Sequence, residues 1–122
     1  MQSVIHFEMV AKDPKKAIDF YTNVFGWNFT EVAPGKYWTI TTTQSGQQGI
    51  NGGLTPFGTP ETPFEESRVT NSILVPDVDQ FTDKVVKAGG TIVMPKKHEP
   101  GFGDLAICKD TNGITFGVYK PG

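Results

Sequence analysis

The sequence predicts an α+β fold in which two β-α-β-β-β modules form one concave mixed sheet with the helices outside. Three observations carry this reading. Each half opens with a strand of alternating polarity, and each strand runs into an amphipathic helix behind a capping aspartate. The punctuating residues of the two halves also recur at a constant offset of 64: Asp13 with Asp77, Gly26 with Gly90, and Gly49-Ile50 with Gly113-Ile114. A fixed offset of this kind is the mark of an internal duplication.

The elements follow in order. In Val4 to Val10, Ile5, Phe7 and Met9 point one way while Val4, His6, Glu8 and Val10 point the other. Asp13 suits an N-cap and Pro14 the first helical position; Ala17, Ile18, Tyr21, Val24 and Phe25 form an apolar stripe, and Gly26 closes a helix over 14–25. Three β-like segments come next, at about 27–33, 36–43 and 49–54. Thr55 to Ser67 is crowded with prolines, which remove backbone donors and fix φ, so 55–68 reads as an extended connector. It joins module 1 (1–54) to module 2 (69–122) within a single domain. The second strand, Val69 to Val75, sets Asn71, Ile73 and Val75 against Thr70, Ser72 and Leu74. Asp77 caps the second helix with Gln80 placed for a capping box, and Val78, Phe81, Val85 and Ala88 line it over 78–88 before Gly89-Gly90. The closing segments fall at about 91–95, 102–108 and 114–119.

Composition narrows the function. The 122 residues are 37% hydrophobic, with 11 basic and 13 acidic side chains, a net charge of −2 and a pI near 5.6. Near-balanced charge argues against a nucleic-acid surface or a polybasic membrane anchor. No apolar run approaches the ~20 residues of a membrane span. The opening Met-Gln-Ser-Val-Ile-His lacks the features of a secretory signal, so a cytoplasmic location is expected. The lone Cys108 excludes an internal disulfide and a cysteine metal cage; on its strand it reads as a packing residue.

Three phrases carry a resemblance: His6-Phe-Glu-Met-Val-Ala-Lys-Asp-Pro14, Phe20-Tyr-Thr-Asn-Val-Phe-Gly-Trp27 and Lys109-Asp-Thr-Asn-Gly-Ile-Thr-Phe-Gly117. With the paired modules, they resemble the vicinal oxygen chelate superfamily, which contains glyoxalase I, the bleomycin- and fosfomycin-resistance proteins and the extradiol dioxygenases. The likeness covers 3–120, and small single-domain glyoxalase-like proteins are the nearest subgroup. It implies four inward positions for a divalent metal, two per module. Mapped here they are His6, Gly53, Thr70 and Gly117. One imidazole and one hydroxyl make a poor cage, and Glu8 offers a shifted site with His6 for which no third ligand is evident. No cofactor is therefore expected, and a divalent metal stays open but disfavoured. Relatives commonly pair, and a homodimer is expected, with Trp27 and Phe29 contributing to the contact.

The candidate site is the inner face. His6 reads either as a hydrogen-bonded strand imidazole or as a ligand contact or acid–base group. Glu8, two residues along the same face, needs a partner or water and offers a base or acceptor. Asn51, Thr70, Ser72 and Tyr119 supply further polar contacts. Gly53 and Gly117 enlarge the cavity or mark close backbone approach. Trp38 and Phe102, which correspond across the repeat, read as pocket walls or as core packing. Gly89-Gly90 and Lys96 to Gly103 read as turns rather than phosphate loops, with His98 in a solvated loop. Two functions stay open: metal-independent binding of a small organic molecule, and a glyoxalase-like lyase or isomerase, with or without a metal, acting on a small oxygenated metabolite with His6 or Glu8 as base. No nucleic acid or membrane partner is expected.

Overall fold

The computed structural model describes residues 1–57 and 66–122; the centre of the expected connector lies outside the described residues. The chain divides into two units, one of His6–Val69 and one of Met1–Ile5 with Thr70–Gly122. The element order is β-α-β-β-β twice over, so the α+β fold of paired modules is the one the chain adopts.

In the unit His6–Val69, β1 (Val4–Ala11, from His6 onward) leads into α1 (Pro14–Phe25), then β2 (Asn28–Ala33), β3 (Tyr37–Thr41) and β4 (Gly52–Pro56). The strands lie in the order β2-β3-β4-β1, with β4 parallel to β1 and the other pairs antiparallel. The Asp13 carboxylate accepts from the Lys16 N–H at 3.2 Å, and Gly26 ends the helix in the left-handed region at φ 73°. Met9, Ile40 and Leu54 form the buried core, with Phe7, Ala17, Ile18 and Tyr21 packed against it. The last turn of α1 departs from expectation: Val24 and Phe25 are 54% and 62% exposed, and the helix has no fully buried residue. Trp27 takes their place near the core. Its ring stacks on Tyr21 at 4.8 Å and meets Phe7 at 5.8 Å, and Trp27 and Phe29 both pack, partly buried, against the core of their own unit.

In the other unit, β5 (Arg68–Leu74, from Thr70 onward) precedes α2 (Val78–Lys87), β6 (Thr91–Glu99), β7 (Gly103–Lys109) and β8 (Thr115–Pro121), in sheet order β5-β8-β7-β6. Val75, Val78, Ala106 and Val118 are its core, joined by Ile73, Phe81 and Phe116. Asp77 accepts from the Gln80 N–H at 2.9 Å. The left-handed residue after α2 is Gly89 (φ 96°), not Gly90. Gly90 serves close approach instead, since a Cβ there would stand 2.6 Å from the Lys109 carbonyl oxygen.

The duplication is visible in the register. Glu8 faces Gly53 on one parallel pair and Ser72 faces Gly117 on the other, an offset of 64 on both strands. The third strands break it: Thr39 faces Gly53 but Ile107 faces Gly117, an offset of 68. The β6–β7 hairpin is four residues longer than β2–β3, as Thr30 pairs with Thr39 but Met94 with Ile107, and the β7–β8 turn is correspondingly shorter. Strand β6 therefore runs on to Glu99, with register shifts on both sides of Met94 that accommodate Pro95 on an edge strand. His98 lies on this strand rather than in a loop, opposite Asp104, with its Nδ1 2.7 Å from Asp104 Oδ1.

Two outcomes follow from this packing. Leu54→Ala, which empties a fully buried site, lowers unfolding stability by about 2–5 kcal/mol in urea titrations. The His98 hydrogen bond holds the Asp104 carboxyl below its ordinary range. Its stabilisation is then present above the ordinary carboxylate pKa and disappears as pH falls through the lowered value. A pH series of melting temperatures shows a shallower acid limb in Asp104→Asn than in the parent.

Candidate functional site

The face of β1 turned away from α1 presents His6 and Glu8, as the alternation requires. The two side chains meet each other: His6 Nε2 lies 2.6 Å from Glu8 Oε2. The Tyr37 hydroxyl donates to the same oxygen at 3.2 Å. Tyr37 reaches it because Gly53 stands in register between Glu8 on β1 and Thr39 on β3. A Cβ on Gly53 would overlap the Tyr37 hydroxyl and lie 2.7 Å from Glu8 Oε1. Of the two readings of Gly53, an enlarged cavity or a close approach, the geometry is that of close approach: it admits the phenol, which fills the space. The side chains of His6 and Glu8 keep 31% and 26% of their surface exposed, so the cluster is half-buried and reachable.

The equivalent positions of the other unit are neutral. Thr70 and Ser72 are buried, at 5% and 6% exposure, and Gly117 stands beside Ser72. A Cβ on Gly117 would lie 3.1 Å from Ser72 Oγ and 3.3 Å from Leu105 Cδ1. Leu105 is the counterpart of Tyr37 at the third-strand offset of 68, so an aliphatic chain stands where the first unit has a phenol. Thr70 Oγ1 and Thr115 Oγ1 are buried with no hydrogen-bond partner among the described residues.

Four expected contacts have other duties. Trp38 packs on the core with Ile40 and Leu54, on the α1 side of the sheet, because it shares the parity of Ile40. Its true counterpart is Ala106, opposite Val118 as Trp38 is opposite Leu54. Phe102 falls in the β6–β7 turn and is 58% exposed, so it walls no strand face. Asn51 precedes β4, and its side-chain oxygen accepts from the N–H groups of Thr42 and Thr43 at 2.9 and 3.2 Å, closing a loop. The Tyr119 hydroxyl donates to the Phe102 carbonyl and ties down the hairpin end. Sequence reasoning passed over Tyr37. The same parity that puts Trp38 and Ile40 in the core puts Tyr37 and Thr39 on the face of Glu8, and that signal was available. Burial pushes the Cys108 thiol pKa up, in keeping with a packing role.

A cleft of about 380 Å³ lies elsewhere, where β1 runs into α1, lined by Val10, Lys12, Asp13, Tyr21, Ser67 and Arg68 among others. Asp13 is occupied in capping, and Ser67 Oγ accepts from the Lys12 N–H at 3.4 Å. The chemistry-bearing cluster and the cleft are thus separate features. No described helix is long and apolar enough to cross a membrane.

Comparison with known proteins bears on this geometry. The anthracycline biosynthesis protein DauV of Streptomyces sp. (strain C5) is 29% identical over 129 aligned residues, 95% of this chain and 46% of the relative. The chain therefore spans about half the length of the curated relatives it matches. Among solved structures, hypothetical protein BH1468 from Bacillus halodurans C-125 superposes with a TM-score of 0.70 at 10% identity, covering 99% of this chain and 95% of the other. Methylmalonyl-CoA epimerase from Mycobacterium tuberculosis does so with a TM-score of 0.68 at 13% identity, over 98% and 87%. Likeness at such identities speaks for the fold alone. The family signature matches residues 3–118, nearly the full length, and by it the chain belongs to the Glyoxalase/Bleomycin resistance protein/Dioxygenase superfamily.

Proposed function

We propose that this chain binds a small organic molecule at the cluster of His6, Glu8 and Tyr37, without a metal ion. The observation that carries the reading is the 2.6 Å contact between His6 Nε2 and Glu8. At the four positions where the family resemblance implies ligands, Gly53 and Gly117 have no side chain and Thr70 offers a neutral hydroxyl. His6 leaves a single ring nitrogen, Nδ1, as a donor, since Nε2 is engaged by Glu8. A divalent ion needs several fixed nitrogen or oxygen donors, and this set does not fit one. A half-buried patch with a few convergent polar groups suits an organic ligand instead. The relative named for anthracycline biosynthesis supports a ligand of that kind.

The same contact favours a second reading. An imidazole oriented by a carboxylate is the arrangement general acid–base catalysis uses. In that reading the chain is a lyase or isomerase acting on a small oxygenated metabolite.

Thermal denaturation separates these ideas. Excess Ni²⁺ or Zn²⁺ leaves the melting temperature nearly unchanged, whereas a ligand at 100-fold its Kd adds about 2.7 kcal/mol. A metal stabilisation that vanishes in His6→Ala overturns the metal-free reading. A screen of small oxygenated metabolites supplies the ligand. The stabilisation it gives is lost in Gly53→Ala, where the new methyl displaces Tyr37 and crowds Glu8, and is retained in Gly117→Ala, whose neighbours need yield only slightly. Turnover of a hit, followed by NMR of the small molecule, decides between binding and catalysis.

A further inference from the structure

Glu8 Oε2 receives two contacts, from His6 Nε2 and from the Tyr37 hydroxyl. A carboxylate only accepts, so each contact requires its hydrogen to come from the partner. The ring nitrogen at 2.6 Å therefore carries the proton, and in the neutral imidazole the other nitrogen is bare. Nδ1 of His6 has no hydrogen-bond partner among the described residues, and the side chain is 31% exposed. The phenolic hydrogen of Tyr37 is likewise committed to Glu8. With the imidazole neutral, the cluster thus offers acceptors and no free donor: His6 Nδ1 and Glu8 Oε1, neither of them hydrogen-bonded among the described residues. The carboxylate's negative charge disfavours an anion.

We infer that Glu8 and Tyr37 are positioning residues, which fix neutral His6 as the Nε2–H tautomer so that Nδ1 accepts the hydroxyl hydrogen of an uncharged ligand. The ligand class is an alcohol, enol or phenol rather than a carboxylate or phosphate. The inference rests on the small-molecule reading above and gives that reading a direction. Tyr37 acts through Glu8: its hydrogen bond pins the carboxylate, and the pinned carboxylate pins the ring. Gly53 is the condition for both, because any side chain there would evict the phenol.

The test is ¹⁵N NMR of the full chain labelled at histidine, in the alkaline range where imidazole is neutral, with His98→Gln used to assign the two rings. The expected spectrum shows protonated Nε2 and bare Nδ1 for His6. In Glu8→Gln the carboxamide offers both donor and acceptor, and the tautomers mix; in Tyr37→Phe the preference weakens. A protonated Nδ1 in the parent, or a tautomer unchanged in both variants, overturns the positioning role. Phenol, anisole and benzoate are then titrated as probes. Phenol moves the Nδ1 resonance, and anisole and benzoate bind about tenfold more weakly, the worth of one hydrogen bond. Equal binding of anisole or benzoate, or no response to phenol, overturns the ligand class. Micromolar Zn²⁺ that shifts the His6 nitrogens would defeat the metal-free reading while leaving the tautomer result standing, so the two failures are distinguishable.

Discussion

The parallel register that sets Glu8 beside Gly53, and Ser72 beside Gly117, fixes most of what this chain presents. Parallel neighbours need a crossover, and in both units the helix and two further strands supply it. Once that register holds, parity does the rest. Phe7 and Met9 are bound to the helix side, while His6 and Glu8 are bound to the other. A slip of one residue would bury the imidazole and the carboxylate under α1 and expose the apolar core. The buried Met9–Ile40–Leu54 cluster makes such a slip prohibitive, and in that sense the core holds the polar cluster in place.

The two copies of this frame have diverged in chemistry more than in shape. Their parallel pairs correspond residue for residue, yet one carries His6, Glu8 and Tyr37 and the other Thr70, Ser72 and Leu105. The ionisable trio stays part-exposed, since a carboxylate and an imidazole are costly to desolvate fully. The hydroxyl pair can be buried because a neutral group costs far less to desolvate. Glycine recurs at 53 and 117 for related reasons: in each unit a third-strand side chain closes over the spot that glycine leaves bare.

Much of this was legible in the amino-acid string. Alternation over Val4 to Val10, the caps at Asp13 and Asp77 and the offset of 64 are local signals with local causes, and they give the elements and their order. His6 and Glu8 were placed on one face for the same reason. What escaped depends on relations between strands. The longer β6–β7 hairpin shifts the third strand by four residues, so Phe102 is not the partner of Trp38, and no spacing within one strand reveals this. Asn51 has the residue type of a ligand contact but sits where the backbone of Thr42 and Thr43 needs an acceptor. Tyr37 required knowing that its neighbour Trp38 belonged to the core.

The two helices do the same job with unequal hold. Helix α2 sinks Val78 and Thr82, whereas α1 has no fully buried residue and leaves Phe20, Val24 and Phe25 in water. Regions with few buried contacts are those that open below the global unfolding free energy. Helix α1 is thus held less firmly than α2, and its amides exchange with solvent sooner than those of α2, by a local excursion rather than by loss of the whole fold. Because His6 and Glu8 project from the far side of β1, their hydrogen bonds lie outside that excursion, and the polar cluster is insulated from the helix that breathes behind it.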